Sequence, residues 1–169
     1  MWNIIRQITR HGIRTEAPPT SDAPTVEVER IQRELLAILG RALAIRQVDA
    51  GSCNGCELEI NALANVNFDL GRYGIDIVAS PRHADGLVLS GAISRNMVQA
   101  LQLCWDAMPA PKLVIAVGAC AISGGVFADC DAVDRRFLEA VQPSLYVPGC
   151  PAHPLTFISG ILDLLGIDS

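Results

Sequence analysis

Five short apolar runs, ALAIRQVD, IDIVAS, DGLVLSG, KLVIAVG and SLYVPG, recur from Ala42 onward, each closed by turn-forming residues. They alternate with stretches of helical spacing, CELEINALANV and SRNMVQALQLCWDAM, and PLTFISGILDLLG follows the last of them. This alternation leaves few architectures open. A helix between two strands carries the chain back so that the next strand runs parallel to the last, and short, near-continuous apolar strands need cover on both faces. The expectation is an α/β domain over residues 41–169, with a mostly parallel sheet and helices on both sides.

Residues 1–40 read differently. Trp2, Ile5, Ile8 and Ile13 recur at roughly helical spacing among Arg6, Arg10, His11 and Arg14, the pattern of a short basic amphipathic arm. Such an arm packs on its own domain or a partner, or lies on a membrane surface. EAPPTSDAP then reads as a linker, and VERIQRELLAILGRA as a helix stopping at Gly40.

Half of the 169 residues are hydrophobic and 18% are charged, so the chain carries more apolar surface than one small domain covers by itself. A buried partner face is implied. A net charge of −5, without a basic block, argues against binding nucleic acid. The weakly polar run over residues 113–128 is too short and too rich in Gly and Ser to span a bilayer. The N-terminal residues interrupt every apolar run with arginine and offer no small-residue cleavage site, so the six cysteines are expected to be reduced in a cytosolic setting.

In open α/β sheets the working site lies beyond the carboxyl ends of the strands. Cys53 and Cys56 follow ALAIRQVD, Cys120 follows KLVIAVG, and Cys150 follows SLYVPG, so all four are expected at one edge of the sheet. Four convergent thiols hold either a tetrahedral zinc or an iron–sulfur cluster. Structural zinc usually draws on two CxxC pairs, whereas here one pair is joined by two single cysteines on different loops. That spread, and the glycines crowding the same loops, favour a cluster; zinc and a redox dithiol remain the alternatives, the dithiol leaving Cys120 and Cys150 without a role.

SCNGCELEI, SPRHADGLVLSGAISRNM, GACAISGGVF and VPGCPAHP, in this order over residues 48–165, resemble the small subunit of membrane-bound, energy-converting nickel–iron hydrogenases of the formate hydrogenlyase type. That family is similar in turn to the 20 kDa subunit of respiratory complex I. The resemblance implies a flavodoxin-like fold and one 4Fe–4S cluster on Cys53, Cys56, Cys120 and Cys150, beside a large subunit that holds the active site. It implies a ferredoxin-like iron–sulfur subunit and membrane-arm subunits as further partners, on the cytoplasmic side of the cytoplasmic membrane. Complex I subunits of this family carry adjacent cysteines at the first motif, and Asn54-Gly55 between them here points to the hydrogenase side. Larger periplasmic small subunits add a region with two more clusters; with its end at Ser169, this chain is expected to hold one.

Other residues have plainer readings. Cys104 is spaced with Met97, Leu101, Trp105 and Met108 as a buried small hydrophobe, and Cys130, among acidic neighbours, as a structural thiol. Glu57 suits the first turn of a helix, with an interface or proton-path role as its functional alternative. Arg82 and His83 precede DGLVLSG and are expected at or near the cysteine edge, where a cation raises a cluster's potential. His153 is a candidate donor near Cys150. No nucleophile, phosphate loop or dinucleotide fingerprint is present, so no catalysis is expected of the chain alone. The reading is an electron-transfer subunit of a hydrogenase, with proton reduction or hydrogen oxidation on the partner. Its alternatives are a complex I-like quinone oxidoreductase subunit whose partner lacks nickel, and a zinc-stabilised interaction module.

Overall fold

The structure, a computed structural model, describes residues 40–166 together with Ala37. The basic arm, the linker and most of the helix read over residues 1–40 lie outside the described residues. Strands β1 (Leu43–Asp49), β2 (Ile75–Ile77), β3 (Gly86–Ser90), β4 (Leu113–Val117) and β5 (Leu145–Val147) coincide with the five apolar runs. They form one all-parallel sheet in the order β2-β1-β3-β4-β5. This is the doubly wound, flavodoxin-like order, with its switch point between β1 and β3.

Among the described residues five α-helices accompany the strands: α1 (Gly55–Ala62), α2 (Arg95–Ala107), α3 (Gly118–Ser123), α4 (Arg136–Ala140) and α5 (Pro154–Leu164). Alternation along the strands sends side chains to two cores, one on each face. On one face Leu43, Ile45, Val88, Ile115 and Val117 pack with Ile60 of α1 and Phe157, Ile158, Ile161 and Leu162 of α5. On the other, Leu87, Leu89 and Val114 pack with Leu101 of α2 and Phe137 and Leu138 of α4. Helices therefore cover both faces, as the apolar runs require.

The register fixes which loops share an edge. Asp49, Ser90 and Val117 end their strands level with one another, and Val117 is level with Val147. At the opposite, amino edge, Arg41 forms an ion pair with Asp85 at 2.5 Å, and Asp85 also accepts the N–H of Ala44 at 3.0 Å.

Candidate metal centre at the carboxyl edge

Three chain segments leaving this edge carry the cysteines. After β1, Gly51 donates its N–H to Asp49 Oδ1 at 2.8 Å, and Asn54 takes a left-handed conformation at φ 69° from which α1 starts. Cys53 thus precedes α1 and Cys56 lies in its first turn. After β4 the chain turns directly into α3, so Cys120 stands on a short helix and not on the loop expected from the sequence. After β5, Cys150 follows Gly149, and the Cys150–Pro151 peptide is cis. The N–H of Ala119 donates to the carbonyl of Gly149 at 2.8 Å, tying the second and third segments together. Cys53 and Cys150 are exposed, while Cys56 and Cys120 are half-buried.

Two of the thiols, Cys56 and Cys120, sense the others. Burial pushes the Cys56 thiol above its ordinary range; an N–H of Ala152 opposes this, and Glu57, Cys120 and Cys150 push it further up. Burial likewise raises the Cys120 thiol, helped by Cys150, Cys53 and Glu57. Thiols that discourage each other's ionisation form a site whose protons leave when a metal arrives. The backbone makes room for the sulfurs. A Cβ on Gly118 would lie 2.5 Å from Cys56 Sγ, and one on Gly125 would lie 3.1 Å from Cys120 Sγ. Among the described residues no three His, Cys, Asp or Glu side chains stand close enough to hold a single ion. The donor set is all thiol and its cradle is lined by glycines, a chemistry that fits an iron–sulfur group.

Glu57 is 6% exposed and lies between two serines. One carboxylate oxygen accepts from Ser52 Oγ at 2.5 Å, the other from Ser90 Oγ at the end of β3. Ser52 Oγ in turn accepts the N–H of Asn54 at 3.0 Å. The carboxylate thereby fastens the segment bearing Cys53 and Cys56 to the switch point.

Arg82 and His83 are not brought to this edge. They form a 3-10 turn just before β3 begins, with the strand's length of about 13 Å between that end and Ser90. His153 caps α5, its Nδ1 accepting the N–H of Leu155 at 3.2 Å, with its ring edge-on to Phe68. Cys104 packs against the second core; burial raises its thiol, and the Arg46 guanidinium opposes that shift. Cys130 is exposed and shares with Cys53, Phe127 and Val133 a cavity of about 190 Å³, a proximity no local pattern announced.

Comparison with known proteins follows the same region. Residues 53–164 match the family described as NADH ubiquinone oxidoreductase, 20 kDa subunit. Formate hydrogenlyase subunit 7 of Escherichia coli is 39% identical over 99% of this chain, which spans 64% of that protein's length. A probable membrane-bound hydrogenase subunit, mbhJ, of Pyrococcus furiosus is 33% identical over 85% of this chain and 86% of its own. Among solved structures, a chain of the membrane-bound sulfane sulfur reductase, an archaeal respiratory membrane complex, shares the fold with a TM-score of 0.65 at 24% identity, covering 86% of this chain and 76% of that one.

Proposed function

This chain belongs to the NADH ubiquinone oxidoreductase 20 kDa subunit family of oxidoreductase components, and from that premise we propose that it is an electron-transfer subunit of a membrane-bound, hydrogenase-type complex. Cys53, Cys56, Cys120 and Cys150 would hold one 4Fe–4S cluster, which when bound supplies a one-electron carrier. The observation that carries the reading is the convergence of four thiols from three strand ends onto a cradle where glycines 118 and 125 leave no room for a side chain.

The chain's own residues bind, orient and shield. Glu57 holds the first cysteine segment to β3, and the Ala119–Gly149 hydrogen bond joins the other two. Phe127, which shares a cavity with Cys53, is exposed, as are Leu58 and Val126, which lie close in sequence to Cys56 and Gly125, Val126 by 85%. Exposed apolar side chains near the thiol-bearing segments favour cover by another subunit that excludes water. That subunit would be the hydrogenase-type large subunit with the catalytic centre, and a ferredoxin-like iron–sulfur subunit would be the next carrier. Among the described residues no helix is long and apolar enough to cross a membrane, which suits peripheral attachment to membrane-arm subunits, on the cytoplasmic side in this reading.

The test is metal and sulfide analysis with EPR on the reduced complex. About four irons and four sulfides per chain are expected, lost in Cys120→Ser and Cys150→Ser and kept in Cys104→Ser. Zinc at one per chain without sulfide would overturn the proposal. The matched family's description favours a second reading, a quinone oxidoreductase whose partner lacks nickel. Nickel analysis of the purified complex separates the two.

A further inference from the structure

We infer that Arg135 is a positioning residue of the candidate centre, fixing the helix that carries Cys120 and standing behind it as its cation. The inference rests on the reading of Cys120 as an iron ligand. Helix α3 has six residues, too few to hold itself together by its own hydrogen bonds. Its trailing carbonyls are tied from outside. Arg135 Nη2 donates to the carbonyl of Ile122 at 2.6 Å, and Nη1 reaches that of Cys120 at 3.4 Å. The Cys120 carbonyl also accepts the N–H of Gly124 at 2.9 Å, and Ser123 Oγ donates to Ala119 at 3.1 Å.

Among the described residues the charge on Arg135 meets no counter-ion. Its neighbour Asp134 is engaged by Arg136, whose guanidinium draws the carboxyl down to about 2. Among the described residues no carboxylate lies within ion-pair distance of Arg135. A cation at the carbonyl end of a helix is favourably placed. The planar fork spans two carbonyls at once, which an ammonium does not reproduce. Arg135 also leads into α4, whose Phe137 and Leu138 are buried in the second core, so the grip on α3 is anchored in the fold. Arg135 thus holds the place for which the sequence nominated Arg82 and His83: a cation near an anionic cluster, which raises its reduction potential.

The experiment uses the full chain in its complex and begins with iron and sulfide content. Wild-type protein without them overturns the reading of Cys120 as a ligand, and amide exchange over residues 118–124 then tests the positioning role alone. With loaded protein, Arg135→Gln is expected to move the cluster's midpoint potential in the negative direction and to speed iron release to a chelator about tenfold or more. Arg135→Lys keeps the charge, so its potential stays near wild type while release is still faster. Arg82→Gln removes the same charge at the far edge and changes neither. Wild-type potential, release and exchange in Arg135→Gln overturn the inference, as does an equal shift in Arg82→Gln. Should Arg135→Gln fail to accumulate, wild-type release in Arg135→Lys overturns it.

Discussion

Gly118 shows how narrow the tolerances of the site are. Its φ of 85° favours glycine, and any Cβ there would stand 2.5 Å from Cys56 Sγ. Gly118→Ala should cost about 1–2 kcal/mol through backbone strain alone. It should also displace the Cys56 sulfur, so cluster content should drop further than stability; a folded variant with full iron would show that the thiol has another position. The placement of the four cysteines at the carboxyl edge was legible because each follows a strand end, a matter of counting along the chain. Glu57 was singled out as a first-turn acid or an interface group, but not its tie to β3, and Arg135 was not singled out at all. The partners Ser90 and Ile122 that give the two residues their structural roles approach only when separate segments pack.

All five strands were readable as elements, since short apolar runs bounded by turn residues admit little else. Helices α3 and α4 were not, being six and five residues long and without a sustained apolar period. The misplacement of Arg82 and His83 has a topological cause. In a parallel sheet the residues entering a strand lie at the opposite edge from those leaving it, and this pair enters β3. The helix that closes the first core invites a direct test. Phe157 is 2% exposed among Ile60-side and sheet residues of that core, and Phe157→Ala should destabilise the chain by about 3–5 kcal/mol, measured by denaturant unfolding. A loss under about 1 kcal/mol would mean that α5 is not docked as described.

At the scale of the molecule, the thiols sit at one edge of the sheet, across from the amino edge where the described chain enters β1 beside the Arg41–Asp85 pair. The basic amphipathic pattern read in residues 1–14 belongs, in the proposed function, to attachment and not to the thiol edge. Deleting residues 1–14 should then weaken membrane association in a salt-sensitive way and leave the reduced EPR signal unchanged. Retention through a high-salt wash, or loss of the signal, would contradict that division.

Strand order also sets a timetable. Cys150 follows β5, the last of the described strands and one that pairs only with β4 among them. A nascent chain shows three of the four thiols before the fourth, so insertion of a cofactor bound by all four would wait until the chain has been made past β5. Loading of such a cofactor would then report that the described sheet has closed, and a chain cut short before β5 would be recognisable to the cell by its empty hands.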